Sequence, residues 1–347
     1  MIPKGIHNLG NTCFINACMQ ILLQTKELTE CIQKWENHSS IETKIYEEWK
    51  IWIANLENPD ISVISPNNFI QSIHEIAQIK NQVLFTGFAQ NDMPEFLLFI
   101  IDNLHIGLKR EIQYTIHGIL QNQVDNLAIQ CYKMIKSRYE NDYSPLIDLF
   151  YGIFISNISS LEKNHLSSIS ETYFILDLPI PILSNENNEN NNNSITIYDC
   201  LDQYISPELM ENENAWMNEN TNEKQNVFKQ ITFWSFPKII MFTFKRFSSI
   251  TTREGIRLLK KTDFIDFPLY ELDLSKYICG YHASKYKYEL YGICNHMGNV
   301  IGGHYTAFVK TEEKQWFHCN DTIIEKIENP QQMVTSMAYA LFYRRLE

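Results

Sequence analysis

Apolar residues recur at helical spacing through the first 140 residues and at strand spacing through most of the remainder. Phe14, Ala17, Cys18 and Ile21 share one face of a helix that the periodicity carries over residues 13–35. Ile45, Trp49, Trp52 and Ile53 mark a second helix over 41–56, closed by Pro59. A third opens at Ser65-Pro66, with Ser as N-cap and Pro at the first helical position, and turns Phe69, Ile70, Ile73, Ile76 and Ala77 inward. Gln90 to Phe96 opens a fourth, continued by Leu97, Leu98, Ile101 and Leu104. Asp92 and Glu95 have the spacing of a capping pair there, and Pro94 is tolerated in a first turn. The alternative is that the two carboxylates hold a basic ligand. A fifth helix covers 124–139 through Leu127, Cys131, Met134 and Ile135.

From Ile147 the pattern changes. Leu149–Ile158 and Glu171–Ile182 are rich in β-branched and aromatic residues and read as strands, with Pro179 and Pro181 at the exit of the second. Ser184–Ser194 is nearly all Asn and Glu, a composition that cannot bury a core and predicts a disordered surface loop. Lys238–Phe247 is a nearly continuous apolar run, as in a central strand covered on both faces. Residues 288–296, 304–310, 315–319 and 339–345 read as further strands, and Met297–Gly303 as a glycine-bearing loop between two of them. The fold class is α+β, helices first and antiparallel strands after.

Composition narrows the function classes. The chain has 347 residues, 44% of them hydrophobic, and a net charge of −12, which argues against a nucleic-acid binder. Nine acidic residues and no Lys or Arg lie between Ser184 and Glu223, a run that reads as a solvated face. The eight cysteines form no C-x-x-C pair and no regular disulfide spacing, so a reducing, intracellular compartment, cytoplasm or nucleus, is expected. No apolar run approaches the roughly 18 residues of a membrane span. His7, Asn8 and Asn11 interrupt any signal-peptide core.

The candidate chemistry centres on Cys13. With Thr12 as N-cap, Cys13 takes the first helical position, where unpaired N–H groups and the helix dipole favour a thiolate nucleophile. His304 follows Gly302-Gly303 at the start of a strand, and Asn320-Asp321 follows sixteen residues later, after Trp316-Phe317-His318-Cys319. If the two strands are hairpin neighbours, Asn320 or Asp321 holds one nitrogen of the imidazole and the other faces Cys13. Acyl transfer also needs donors for an oxyanion, and the side-chain amide of Asn8 and the Cys13 backbone N–H are in place to supply them. The competing reading is a set of core cysteines and a loop histidine.

Gly5-Ile6-His7-Asn8-Leu9-Gly10-Asn11-Thr12-Cys13-Phe14-Ile15-Asn16 resembles the cysteine box of the ubiquitin-specific protease (USP) family. Tyr286–Gly292, Asn295–Gly298 and Gly302–Lys310 resemble its histidine box, and Trp316–Asp321 the segment bearing the third triad residue. Gln90–Phe96, Phe242–Phe247 and Ala338–Arg345 also match, so the likeness runs from Gly5 to Arg345. It implies a papain-like α+β fold with a helical thumb, β fingers and a β palm. The corresponding ranges are 1–140, 141–235 (with the 184–194 loop) and 236–347 of a single catalytic domain. It implies hydrolysis of the (iso)peptide bond after the ubiquitin C-terminal Gly-Gly, through an acyl-enzyme thioester. By position, Cys13 is the nucleophile, His304 the base, Asn320 its orienting residue, Asn8 an oxyanion donor and Asp321 an adjacent acid that assists. The resemblance places Asp92 and Glu95 against the basic ubiquitin tail and Gly302, Gly303 and Tyr305 along its Gly-Gly channel. Many members hold zinc in the fingers through two C-x-x-C pairs. Here those places read Ile158–Asn164 and Trp216–Asn220 without a cysteine, so no metal and no cofactor is expected. Pro94 is unusual for its motif, and nothing resembling an added targeting domain is seen at either end. The expected partners are ubiquitin and ubiquitinated proteins, with no nucleic acid and no membrane, and the chain is expected to be a monomer. An activating partner, a non-catalytic ubiquitin-binding role and a ubiquitin-like modifier as substrate stay open.

Overall fold

A computed structural model describes residues 1–34, 43–182, 194–219, 221–252, 255–299 and 302–347. The expected loop at 184–194 lies almost wholly outside the described residues, as does part of the Met297–Gly303 loop. Eight α-helices are described: α1 (Cys13–Leu23), α2 (Lys26–Gln33), α3 (Thr43–Glu57), α4 (Asn67–Ile79), α5 (Met93–Leu108), α6 (Gln123–Tyr139), α7 (Pro145–Phe150) and α8 (Ile197–Tyr204). The strands that frame the site are β1 (Gly152–Ser160), β2 (His165–Tyr173), β3 (Ile175–Leu178), β4 (Glu208–Met210), β5 (Val227–Ser235), β6 (Ile239–Phe244) and β7 (Phe247–Thr252). They continue with β8 (Gly255–Lys260), β9 (Lys287–Gly298), β10 (Gly303–Lys310), β11 (Trp316–Asn320), β12 (Ile323–Ile327) and β13 (Ala338–Arg345).

The helix expected over 13–35 is two helices. The N–H groups of Gln24 and Thr25 bond the carbonyls of Ile21 and Leu22, three residues back, at 3.1 and 3.0 Å, which tightens the last turn of α1 and ends it. The Thr25 hydroxyl then meets the Tyr291 hydroxyl at 2.9 Å, so a tertiary bond holds the break. In the third helix the cap position falls on Pro66, and the Ser65 hydroxyl accepts from the Asn67 side chain at 2.8 Å instead of capping. Pro94 sits in the first turn of α5, where its missing N–H costs no ladder bond.

Two strand boundaries move as well. Leu149 and Phe150 belong to α7, and the strand begins at Gly152. The single strand expected over Glu171–Ile182 is divided at Phe174 into the end of β2 and all of β3. β2 pairs antiparallel with β1, whereas β3 pairs parallel with β6, so one apolar run feeds two sheets. Alternation marks extended backbone but does not name the partner strand.

The larger sheet runs β12–β11–β10–β9–β13–β6–β3, with Leu272–Asp273 added to the start of β9. β6 lies inside it between β13 and β3, and all six of its residues are buried, as its apolar run predicts. The second sheet runs β2–β1–β5–β4, and α6 covers it through Ala128 and Cys131 against Ile153, Ile155 and Trp234. At the two places where the resemblance would put zinc ligands there are hairpins. Ser160 N–H donates to Asn164 O at 2.8 Å in the β1–β2 turn, and Trp216–Asn218 pairs with Glu223–Gln225. Among the described residues no group of three His, Cys, Asp or Glu side chains could hold a metal.

One continuous core joins α1, α3, α4 and α5 to β9, β10 and β13. Every residue of α1 is buried, so this helix lies between the other helices and the large sheet. Gly292 in β9 permits that approach: a Cβ there would lie 2.7 Å from Cγ2 of Ile21. The first residue of α1 is thereby held against the start of β10. No helix among the described residues is long and apolar enough to cross a membrane.

Candidate active site

The turn before α1 is built from its own side chains. The Asn8 side-chain oxygen accepts from the N–H groups of Gly10 and Thr12, both at 3.1 Å, and from the Thr12 hydroxyl at 3.3 Å. Gly10 and Asn11 take left-handed φ values of 101° and 57°. Thr12 is not a side-chain cap: its hydroxyl accepts from Leu9 N–H at 3.0 Å. Cys13 follows as the first residue of α1 and is 3% exposed.

The expectation of a thiolate favoured by the helix start is corrected by burial. Desolvation pushes the Cys13 thiol above its ordinary range. The backbone amides of Tyr305, Phe14 and Cys13 itself, beside the sulfur, oppose this, while the Asp321 carboxylate adds to it. The Tyr305 contact places the sulfur beside the residue that follows His304.

His304 lies at the start of β10, which pairs with β11 in the register Ala307↔Cys319. Nε2 of His304 meets Oδ1 of Asn320 at 2.7 Å. An amide oxygen can only accept, so Nε2 carries the proton and Nδ1 keeps its lone pair. Of the two neighbours left open by the sequence, Asn320 is the one on the imidazole. Asp321 turns the other way with φ of 48°. Its carboxylate accepts from Asn8 Nδ2 at 3.0 Å and from Asn16 Nδ2 at 2.7 Å, and its carbonyl accepts from Ile6 N–H at 2.8 Å. It braces the turn that carries Asn8. Asn16 was missed by sequence reasoning. Its signal was a polar residue three positions after Cys13 in a helix with Gln20 as its one other amide, and it is 2% exposed.

Asp92 precedes α5 but makes no side-chain capping bond. Its two carboxylate oxygens accept from the hydroxyls of Tyr305 at 2.9 Å and Tyr339 at 2.8 Å. Burial raises its carboxyl against those two bonds. Glu95, in the first turn of α5, is also raised, by burial and then by the Asp92 charge. Tyr339 had no sequence signal beyond its place in an apolar strand.

A cleft of about 240 Å³ borders this cluster, with Gln90, Asp92, Phe247, His296, Gly303 and Tyr305 in its wall. Gly303 is sterically required, since a Cβ there would lie 2.3 Å from both Nε2 of His296 and the Met297 carbonyl oxygen, whereas one on Gly302 would meet only the flexible end of Gln90, at 2.7 Å. Burial and then the Lys260 ammonium push His296 down to about 4, and Lys260 Nζ donates to its Nδ1 at 3.0 Å. This histidine is therefore neutral at pH 7 and is a wall of the cleft.

A family model described as "Ubiquitin carboxyl-terminal hydrolase" matches residues 4–343. Ubiquitin carboxyl-terminal hydrolase 2 of Bos taurus is 30% identical over 350 residues, which are 98% of this chain and 54% of that protein. Ubiquitin carboxyl-terminal hydrolase 4 of Saccharomyces cerevisiae is 28% identical over 381 residues, 99% of this chain and 39% of that protein. The chain thus spans about half the length, or less, of these curated relatives. Among solved structures, Ubp8 in the SAGA DUB module with Sgf11, Sus1 and Sgf73, bound to monoubiquitin, superposes with a TM-score of 0.71 at 23% identity. That match covers 99% of this chain and 69% of the other. The same module bound to ubiquitin aldehyde gives 0.70 at 23% identity, covering 99% and 70%. The chain belongs to the ubiquitin carboxyl-terminal hydrolase family and has the ubiquitin-specific protease fold of helical thumb, β fingers and β palm.

Proposed function

We propose that this chain is a thiol-dependent deubiquitinase that cleaves the (iso)peptide bond after the ubiquitin C-terminal Gly-Gly. The observation that carries the reading is the convergence of three elements: Cys13 at the start of α1 lies beside the backbone amide of Tyr305, and His304, one residue earlier, is held by Asn320. In the reaction the Cys13 thiol gives its proton to Nδ1 of His304, and the sulfur attacks the carbonyl carbon of the terminal glycine. The second N–H of Asn8 Nδ2 and the Cys13 backbone N–H receive the oxyanion; the first N–H of Asn8 is spent on Asp321, which orients the amide. His304 returns the proton to the departing lysine amine as the thioester forms. Water, deprotonated by His304, then releases the ubiquitin carboxylate and the free thiol. Because burial disfavours the thiolate, proton transfer to His304 is what activates Cys13.

Gly302, Gly303 and Tyr305 border the cleft in which we place the Gly-Gly tail; Glu95, exposed in the first turn of α5, is offered to its basic residues. Helices through Phe150 form the thumb, the β2–β1–β5–β4 sheet the fingers and the large sheet the palm. Ubiquitin in the neighbouring solved complexes supports ubiquitin as the ligand, and the subunits around Ubp8 support a search for an activating partner. All eight cysteines are free, which suits a reducing intracellular compartment. The test is ubiquitin carrying a C-terminal electrophile: one adduct on Cys13 is expected, lost in Cys13→Ala. Absence of an adduct on the unmodified protein, with ubiquitin still bound, would leave a ubiquitin-binding module. A panel of ubiquitin-like modifiers run alongside fixes the substrate.

A further inference from the structure

The loop before α5 runs beside the start of β10 in a fixed register. Gln90 meets Gly303 and Asp92 meets Tyr305, and each pair is separated by 213 residues, so two residues on one segment match two on the other. His304 lies between the two contact points. Extended backbone turns alternate residues to opposite faces, and Asp92 has extended φ and ψ of −76° and 134°. The side chains of Gln90 and Asp92 thus act where a parallel neighbouring strand would use its backbone.

The Gln90 amide holds Gly303 at two points. Its oxygen accepts from Gly303 N–H and its Nε2 donates to Gly303 O, both at 3.0 Å. Gly303 faces Gly298 of β9 on one side, while the described pairing with β11 begins only at Ala307↔Cys319. The edge of β10 ahead of His304 is therefore secured by a side chain. The same Nε2 lies 3.4 Å from Oδ1 of Asn11, two residues before Cys13, and Nδ2 of Asn11 donates to Phe88 O at 3.0 Å. The loop from Phe88 to Asp92 thereby holds both the turn that ends at Cys13 and the strand that starts at His304. At the second point Asp92 fixes the Tyr305 ring, and the Tyr305 backbone amide lies beside the Cys13 sulfur. Both Asp92 oxygens accept from tyrosine hydroxyls, so the carboxylate is engaged inside the protein.

We propose that Gln90 and Asp92 are positioning residues: they register His304 against Cys13 across the boundary between the helices and the sheet by clamping Gly303 and Tyr305, the residues on either side of the base. The proposal rests on the reading of Cys13 and His304 as nucleophile and base. A misplacement of about 1 Å at such a pair can cost about a hundredfold in rate, and without Gln90 the described pairing of Gly303 is with Gly298 of β9 alone.

The test uses iodoacetamide, which needs no ubiquitin, with alkylation of Cys13 followed by peptide mass spectrometry on the full chain. Gln90→Met keeps the length and loses both hydrogen bonds. It is expected to slow Cys13 alkylation at pH 7 by about tenfold or more. On the alkaline plateau of the rate, where hydroxide removes the proton without help from a base, it should match the unmodified protein at an unchanged melting temperature. Gln90→Glu keeps the acceptor for Gly303 N–H, loses the donor and should fall between the two. Asp92→Asn retains one acceptor and one donor for the two tyrosine hydroxyls and should lose less than Gln90→Met. An unchanged alkylation profile in Gln90→Met, with only KM for a ubiquitin substrate raised, would make Gln90 a wall of the tail channel and overturn the proposal. If His304→Ala alkylates at pH 7 as fast as the unmodified protein, the nucleophile–base reading falls and the proposal with it. That outcome is distinct, because it does not involve Gln90.

Discussion

Among the described residues, His304 and His105 each bond a polar side chain that could form a catalytic relay. His304 bonds Asn320, and the next residue, Tyr305, sets its backbone amide beside the Cys13 sulfur. His105, in α5, bonds the Ser144 hydroxyl through Nδ1 at 2.8 Å and the Asp142 carboxylate through Nε2 at 3.2 Å. By residue type the second relay is the better hydrolase, since it lines up Ser, His and Asp. Its surroundings give it a different job. Ser144 is fully buried just before Pro145 opens α7, and Asp142 also pairs with Lys109 at 3.0 Å. The relay links α5 to α7. At Cys13 backbone amides converge on the sulfur, and Tyr305 and the glycine pair border a cleft. A nucleophile, a base and an acid within bonding distance do not make a site. A place for the reacting carbonyl and donors for its oxyanion are also required.

The contrast is tested most severely by removing each relay in turn. Cys13→Ala and His304→Ala are each expected to lower kcat/KM on a fluorogenic ubiquitin substrate by about 10⁴-fold or more, whereas Ser144→Ala should leave it within about twofold. An active Cys13→Ala would end the assignment. Asn8→Ala comes next, with kcat reduced about 10²–10³-fold and KM nearly unchanged. A smaller loss, about tenfold, is expected for Asp321→Asn, which keeps one acceptor for two amides and loosens Asn8. The pH profile sharpens the comparison further. With the Cys13 thiol raised by burial and no base to take its proton, alkylation of Cys13 in His304→Ala should reach half its maximal rate at a pH above that of an ordinary free thiol. A half-point below it would mean that the helix start, not His304, generates the thiolate. The smallest effect belongs to the other relay. Ser144→Ala removes the partner of a part-buried histidine nitrogen and should cost about 1 kcal/mol by denaturant unfolding.

Helix-forming periodicity was legible wherever one face was buried, as in α3, α4 and α6. The central strand β6 was legible because burial on both faces leaves a continuous apolar run. Boundaries were less so. The break between α1 and α2 depends on Tyr291, far along the chain, and the split at Phe174 depends on which strand each half finds. The capping pair at Asp92 and Glu95 was a local reading of a residue whose real partners, Tyr305 and Tyr339, are 213 and 247 positions away.

By itself the sequence determined the α-then-β order, the polar turn before the candidate nucleophile Cys13, the histidine behind its two glycines and the two candidates for that histidine's partner. These are local patterns, written in neighbouring residues. Tertiary structure alone decided that Asn320 and not Asp321 meets the imidazole, that Asp321 braces Asn8, and that Gln90 and Asp92 grip the residues beside His304. It also decided the sign of the shift at Cys13. A helix start favours the thiolate, but desolvation depends on everything packed around the sulfur, and here that outweighs the start of the helix.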